Sequence, residues 1–135
     1  MADFSVAVEQ WVRKAKERAE QAFRAIAEDA LARVKELTPV DTGYLRANFV
    51  TVLEGEAIPK DEPTPETMAG INRAKVGDTI LIVNPVPYAR RIEYGFVGED
   101  SLGRKYDQKG RHMVAQTVAE MPRIAEEAVK RVTRP

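Results

Sequence analysis

The sequence predicts an α+β fold: a long N-terminal helix, a small mainly antiparallel sheet, short helices and a C-terminal helix. Three observations carry this. Apolar residues recur at steps of three and four over residues 4–37 and again over 110–132, the period of amphipathic helices. Between those runs, 47–54 and 79–83 are rich in apolar and β-branched residues, as strands are. TPVDTGYLRANF, residues 38–49, turns the first pattern into the second.

The first helix is expected over 4–37, on the stripe Phe4, Val8, Trp11, Val12, Ala15, Ala19, Ala22, Phe23, Ile26, Ala30, Leu31, Val34 and Leu37. No Gly or Pro interrupts it. Glu9–Arg13, Glu20–Arg24 and Asp29–Arg33 are favourable i,i+4 pairs on the wet side. At 1.5 Å per residue the rod is about 50 Å long, whereas a globule of this chain length is roughly 37 Å across. Either the helix bends or breaks, or part of its stripe is buried on a neighbouring subunit. Self-association is therefore expected. Trp11 and Phe23 on this stripe, with Met113 on the last helix, are the candidate interface residues.

Pro39 disfavours helical geometry at Thr38 and ends the rod. Asp41, Thr42 and Gly43 supply turn chemistry, Gly43 accepting positive φ. The strand at 47–54 has apolar residues on both faces, so both should be covered. The 55–65 loop, with Pro59, Pro63 and Pro65 among acidic residues, reads as exposed and mobile. A short helix is expected at 66–74 with Met68 and Ile71 inward. The 79–83 strand (TILIV) has almost no polar face and reads as central. It must end at Asn84, because Pro85 and Pro87 frame Val86. Residues 88–94 make a short helix, with Pro87 at its start and Gly95 as its stop. Residues 97–109 read as a loop or irregular hairpin that supplies a third strand, and the edges of so small a sheet point again to assembly. Pro122 should kink or divide the closing helix, 110–132.

At 135 residues the chain reads as a single domain, 1–135. Lys plus Arg (21) equals Asp plus Glu (21), which argues against a protein whose main task is neutralising nucleic acid. The absence of cysteine excludes disulfides, thiolate metal sites and cysteine nucleophiles. No apolar run approaches the roughly 18 residues of a membrane span, and MADFSVAVEQ lacks the layout of a signal peptide. Synthesis inside the cell, without membrane insertion, is the expectation.

Asp41-Thr42-Gly43 matches the triplet of aspartic proteases, where a dimer pairs two carboxylates. There the triplet follows an apolar strand; here it follows a long helix, and the turn reading explains the same residues. His112, the sole histidine, has no nucleophile or carboxylate placed with it by spacing and reads as a surface or cap residue. Arg90, Arg91, Arg104, Lys105, Lys109 and Arg111 are interleaved with Glu93, Glu99, Asp100 and Asp107, a solvated face rather than a nucleic-acid site. No catalytic residue, cofactor, metal ligand or small-molecule substrate is expected.

The order of motifs resembles the tail-completion or head–tail joining (neck) proteins of long-tailed phages, the family related to the lambda-type minor tail protein Z. TPVDTGYLRANF is similar to its Pro-Val-Asp-Thr-Gly-x-Leu-Arg signature. ILIVN followed by PVPYARRIEYGF is similar to Asn-x-x-Pro-Tyr-Ala-x-x-x-Glu-x-Gly, and HMVAQTVAEM to Gly-Met-Val-x-x-Thr-Val-Ala. The likeness spans about residues 5–130. It departs where Gly110-Arg111-His112 replaces the Pro-x-Gly often found before Met-Val, and the 55–65 loop has no counterpart. The resemblance implies a virion protein without catalysis, made in the bacterial host cytoplasm. It implies a ring, usually a hexamer, between the head connector or adaptor and the tail terminator, with DNA passing through without sequence-specific binding. Under it Asp41, Thr42, Gly43 and Arg46 organise the pivot, and Asn84, Pro87, Tyr88, Glu93, Tyr94 and Gly95 hold the turn after the central strand. The loops at 55–65 and 97–109 would meet the rings above and below. A tail terminator ring and a DNA-binding module are the alternatives.

Overall fold

The computed structural model describes residues 2–40 and 43–134. The first helix, α1 (Ala2–Glu36), is one unbroken rod of about 52 Å. The Thr38 hydroxyl donates to the Val34 carbonyl at 2.6 Å and closes its last turn, just before Pro39. Then come α2 (Gly43–Ala47), β1 (Val50–Leu53), α3 (Ala69–Arg73), β2 (Ile80–Val83), α4 (Ala89–Tyr94), β3 (Gly95–Glu99), β4 (Lys105–Lys109) and α5 (Met113–Thr133).

The core forms where the C-terminal half of α1 meets everything else. Ala27, Leu31 and Val34 pack with Leu45, Phe49, Ile71, Val86 and Met113. Helix α5 runs antiparallel along this half of α1. The Arg33 guanidinium takes both carboxylate oxygens of Glu120, at 2.9 and 3.0 Å, and Arg131 reaches Asp29 at 2.7 Å. Arg24 donates twice to the Ala74 carbonyl, at 3.1 and 2.8 Å, tying α1 to the end of α3.

Strands β1 and β2 pair antiparallel, Val50 opposite Val83 and Leu53 opposite Ile80. Both faces of β1 are covered, as its pattern predicts: Val50, Thr51 and Val52 are buried. Its outer edge is met by Thr67, whose carbonyl accepts from the Thr51 amide at 3.0 Å and hydroxyl at 2.8 Å. Helix α3 sits so close to β1 that a Cβ on Gly70 would lie 2.6 Å from backbone atoms of Thr51 and Val52. Met68 and Ile71 face inward as expected.

Four expectations need correction. Strand β2 is not central: among the described residues it pairs with β1 alone, and Leu81 stands 38% exposed. Residues 43–47 form α2 instead of leading into the strand, because Leu45 and Phe49, four apart, both reach the core. The third strand does not join the first sheet. Strand β3 pairs with β4 in a separate hairpin, Gly95 opposite Lys109 and Glu99 opposite Lys105. Helix α5 is not divided at Pro122; the carbonyl that loses its partner belongs to Val118, a residue on the exposed side of the helix, 63% accessible.

Candidate functional site

The three segments that carry the phage resemblance converge at one end of the core. Asp41 and Thr42 of the pivot lie outside the described residues. Gly43 opens α2 rather than closing a turn, and a Cβ added there would meet nothing within 4 Å. Arg46 is exposed in the last turn of α2. Burial, and after it the charge of Arg46, pushes the Lys35 ammonium below its ordinary pKa.

Asn48, fully buried, does most of the holding. Its amide nitrogen donates to the carbonyls of Tyr44 at 2.8 Å and Glu62 at 3.0 Å, and its oxygen accepts from the Glu62 amide at 3.1 Å. The Tyr44 hydroxyl donates to Asp61 at 2.7 Å, which pushes its pKa up to about 12. Further along, Glu56 accepts from the Leu53 amide at 2.7 Å and from Arg73 at 2.6 and 2.8 Å. Those contacts, the Leu53 amide first, hold its carboxyl below the usual range. The acidic 55–65 segment, expected to be mobile, is thus pinned at Glu56, Asp61 and Glu62.

Asn84 joins the pivot to the turn after β2. It donates to the Leu45 carbonyl at 2.8 Å and accepts from the Val86 amide at 3.1 Å. Tyr88 packs half-buried against the core, and Pro87 and Tyr94 are exposed. Glu93 is 7% exposed. Its carboxylate accepts from the amides of Val114 at 2.9 Å and Ala115 at 3.1 Å, capping the start of α5. Its carbonyl accepts from the His112 amide at 3.1 Å. His112 holds the N-cap position in left-handed geometry (φ 50°), and its side chain does not cap. Gly95 has φ 86°, and a Cβ there would lie 2.6 Å from the Gln108 carbonyl oxygen. Only glycine permits that crossing.

This end of the molecule spends its polar side chains on its own backbone. Among the described residues, no group of three or more His, Asp or Glu could hold a metal ion. The basic residues are dispersed: Arg104 is bound to Asp100, and Arg91 lies 4.2 Å over the Phe96 ring.

The unspent chemistry is apolar and lies elsewhere. Every residue of α1 from 5 to 19 is exposed, Trp11 at 71%. Where α1 enters the core, it forms with β2 and α5 an open groove of ≈ 460 Å³ lined by Phe23, Ile26, Ala30, Ile80, Ile82 and Met121 among others. Of the candidate interface residues, Trp11 is on the free rod and Phe23 on the groove. Met113 is 1% exposed, packed inside this chain's own core. A stripe alone does not distinguish the two fates.

Residues 2–95 match the model of a family described as "Bacteriophage HK97-gp10, putative tail-component". The chain belongs to the HK97-gp10-like family. The matched span runs from α1 through the pivot, β1, β2 and α4, and ends at Gly95. This HK97-gp10-like chain is accordingly a phage tail component, a structural protein of the virion. Neither a curated protein nor a solved structure matches it. Among its described residues, no helix is long and apolar enough to cross a membrane. Sequence reasoning missed the part played by Asn48 and the reach of Glu93 to α5. Only the positions of an Asn after a short helix and a Glu before Gly95 hinted at either.

Proposed function

We propose that this tail component is the neck protein that completes the tail and joins it to the DNA-filled head. It acts as a ring of identical subunits, six in number as the resemblance to neck proteins implies. The observation that supports this reading is the free rod. Residues 5–19 present Val8, Trp11 and Val12 to solvent, about 22 Å of helix with an apolar stripe that its own domain cannot cover. The head connector or adaptor lies on one side of the ring and the tail terminator on the other. The pinned 55–65 segment and the β3–β4 hairpin meet them. DNA passes through without sequence-specific contact, in keeping with the equal numbers of acidic and basic residues.

Electron microscopy of particles from a phage with a nonsense mutation in this gene tests the reading. Filled heads beside separate tails of normal length are the expected result. Heads carrying tails of uncontrolled length would assign the chain to tail termination instead. Intact particles would remove it from the joining step.

A further inference from the structure

We propose that, in the ring, residues 5–22 of α1 from one copy lie in the groove between α1, β2 and α5 of the next copy. The inference rests on the ring reading above and names its interface. Two unpartnered apolar surfaces exist on the same chain, one convex and one concave. On the rod, Val8, Val12, Ala15, Ala19 and Ala22 are spaced by four and three residues in strict alternation, the seam that packs against another helix. Trp11 flanks this seam, 71% exposed. The groove offers the complement: a floor of Phe23, Ile26, Ala30, Ile80 and Ile82, and a lip on α5 where Val114 and Val118 are 45% and 63% exposed.

The two surfaces cannot meet within one chain. Helix α1 is continuous, so Trp11 sits about 22 Å along the helix from Ile26. The groove follows α1 from Phe23 to Val34, about 17 Å, which is the length of the seam from Val8 to Ala19. They also match in charge. Asp78 is the charged residue among the groove lining, and Lys16 and Arg18 flank the seam on the rod. A rod-to-rod pairing would close on itself as a two-fold dimer and leave the groove open. A rod-in-groove contact is heterologous and uses a different surface on each partner, the kind of contact that builds a ring when the rotation between neighbours closes.

Two full-length variants test this. Trp11→Glu spoils the rod and Val118→Glu spoils the groove; both positions are exposed, so both chains should melt like the parent by circular dichroism. The parent chain is expected to self-associate at high concentration or in isolated necks, and each variant alone to stay monomeric. An equimolar mixture should give a heterodimer and nothing larger by native mass spectrometry, because one sound rod and one sound groove remain per pair. Continued ring formation by either variant, in solution or in necks, overturns rod-in-groove while leaving the ring intact, as does a mixture that gives no heterodimer at a concentration where the parent self-associates. A parent chain that is monomeric both in concentrated solution and in necks overturns the ring and this interface together.

Discussion

Glu93 lies in the last turn of α4 and caps the start of α5. Helix α5 opens at His112 in left-handed geometry with no side-chain cap of its own, so its first amides depend on a carboxylate 21 residues earlier in the chain. A carboxylate also suits the positive end of the helix dipole. Glu93→Ala leaves the Val114 and Ala115 amides unserved at a site only 7% exposed. The expected cost is about 1–3 kcal/mol, seen as a lower urea midpoint at unchanged slope. Glu93→Gln, which keeps one acceptor oxygen, should fall between Ala and the parent. An Ala variant with the parent's midpoint would mean that water already serves those amides. His112 itself should tolerate Asn or Gly, since it contributes backbone conformation and no side-chain cap.

At the scale of elements, the α3–β1 contact is set by a missing side chain. Gly70 and Ile71 donate their amides to the Thr51 hydroxyl at 3.1 and 3.2 Å, so α3 cannot back away without losing them. Gly70→Ala places its methyl 2.6 Å from β1 backbone and should cost about 2 kcal/mol or more. Gly43→Ala meets open space at the start of α2 and should gain up to about 1 kcal/mol from helix propensity. Guanidinium melts of the two variants must move in opposite directions; a destabilised Gly43→Ala would show that the pivot needs glycine after all. The sequence made the long elements plain and the short ones obscure. Helices α1 and α5 are legible because a 3.6-residue period repeats many times. Helix α2 is five residues long inside a stretch full of turn formers, so its only helical signal was the spacing of Leu45 and Phe49. The run TILIV looked central because periodicity counts apolar residues without knowing which face is covered, and Leu81 is not covered. The site was half legible. Its segments stood out as motifs, but the bonds that join them, Asn48 to Glu62 and Glu93 to Val114, span loops whose paths no local pattern fixes.

Across the whole molecule, packing is divided unequally along one helix. Residues 24–34 of α1 are held by the core, by Glu120 and Arg131 of α5, and by the Ala74 carbonyl. Residues 5–19, all exposed, rely on their own helical bonds. An isolated helix of about 15 residues is marginal in water, and an apolar stripe facing solvent adds nothing to its stability. Local opening free energies should therefore fall steeply from one end of the rod to the other. In the monomer, amides at 9–19 should exchange with deuterium at least about a hundredfold faster than those at 27–34, a gap of about 2.7 kcal/mol or more. On assembly the difference should shrink, because the seam of Val8, Val12, Ala15 and Ala19 gains a partner. Protection should appear together at 9–19 and at 114–121 of α5, the two sides of one contact. Uniform protection along α1 in the monomer would mean that the rod is stable without a neighbour. Protection gained at 9–19 but not on α5 would place the rod against another surface, and the search for its partner would move to the proteins above and below the ring.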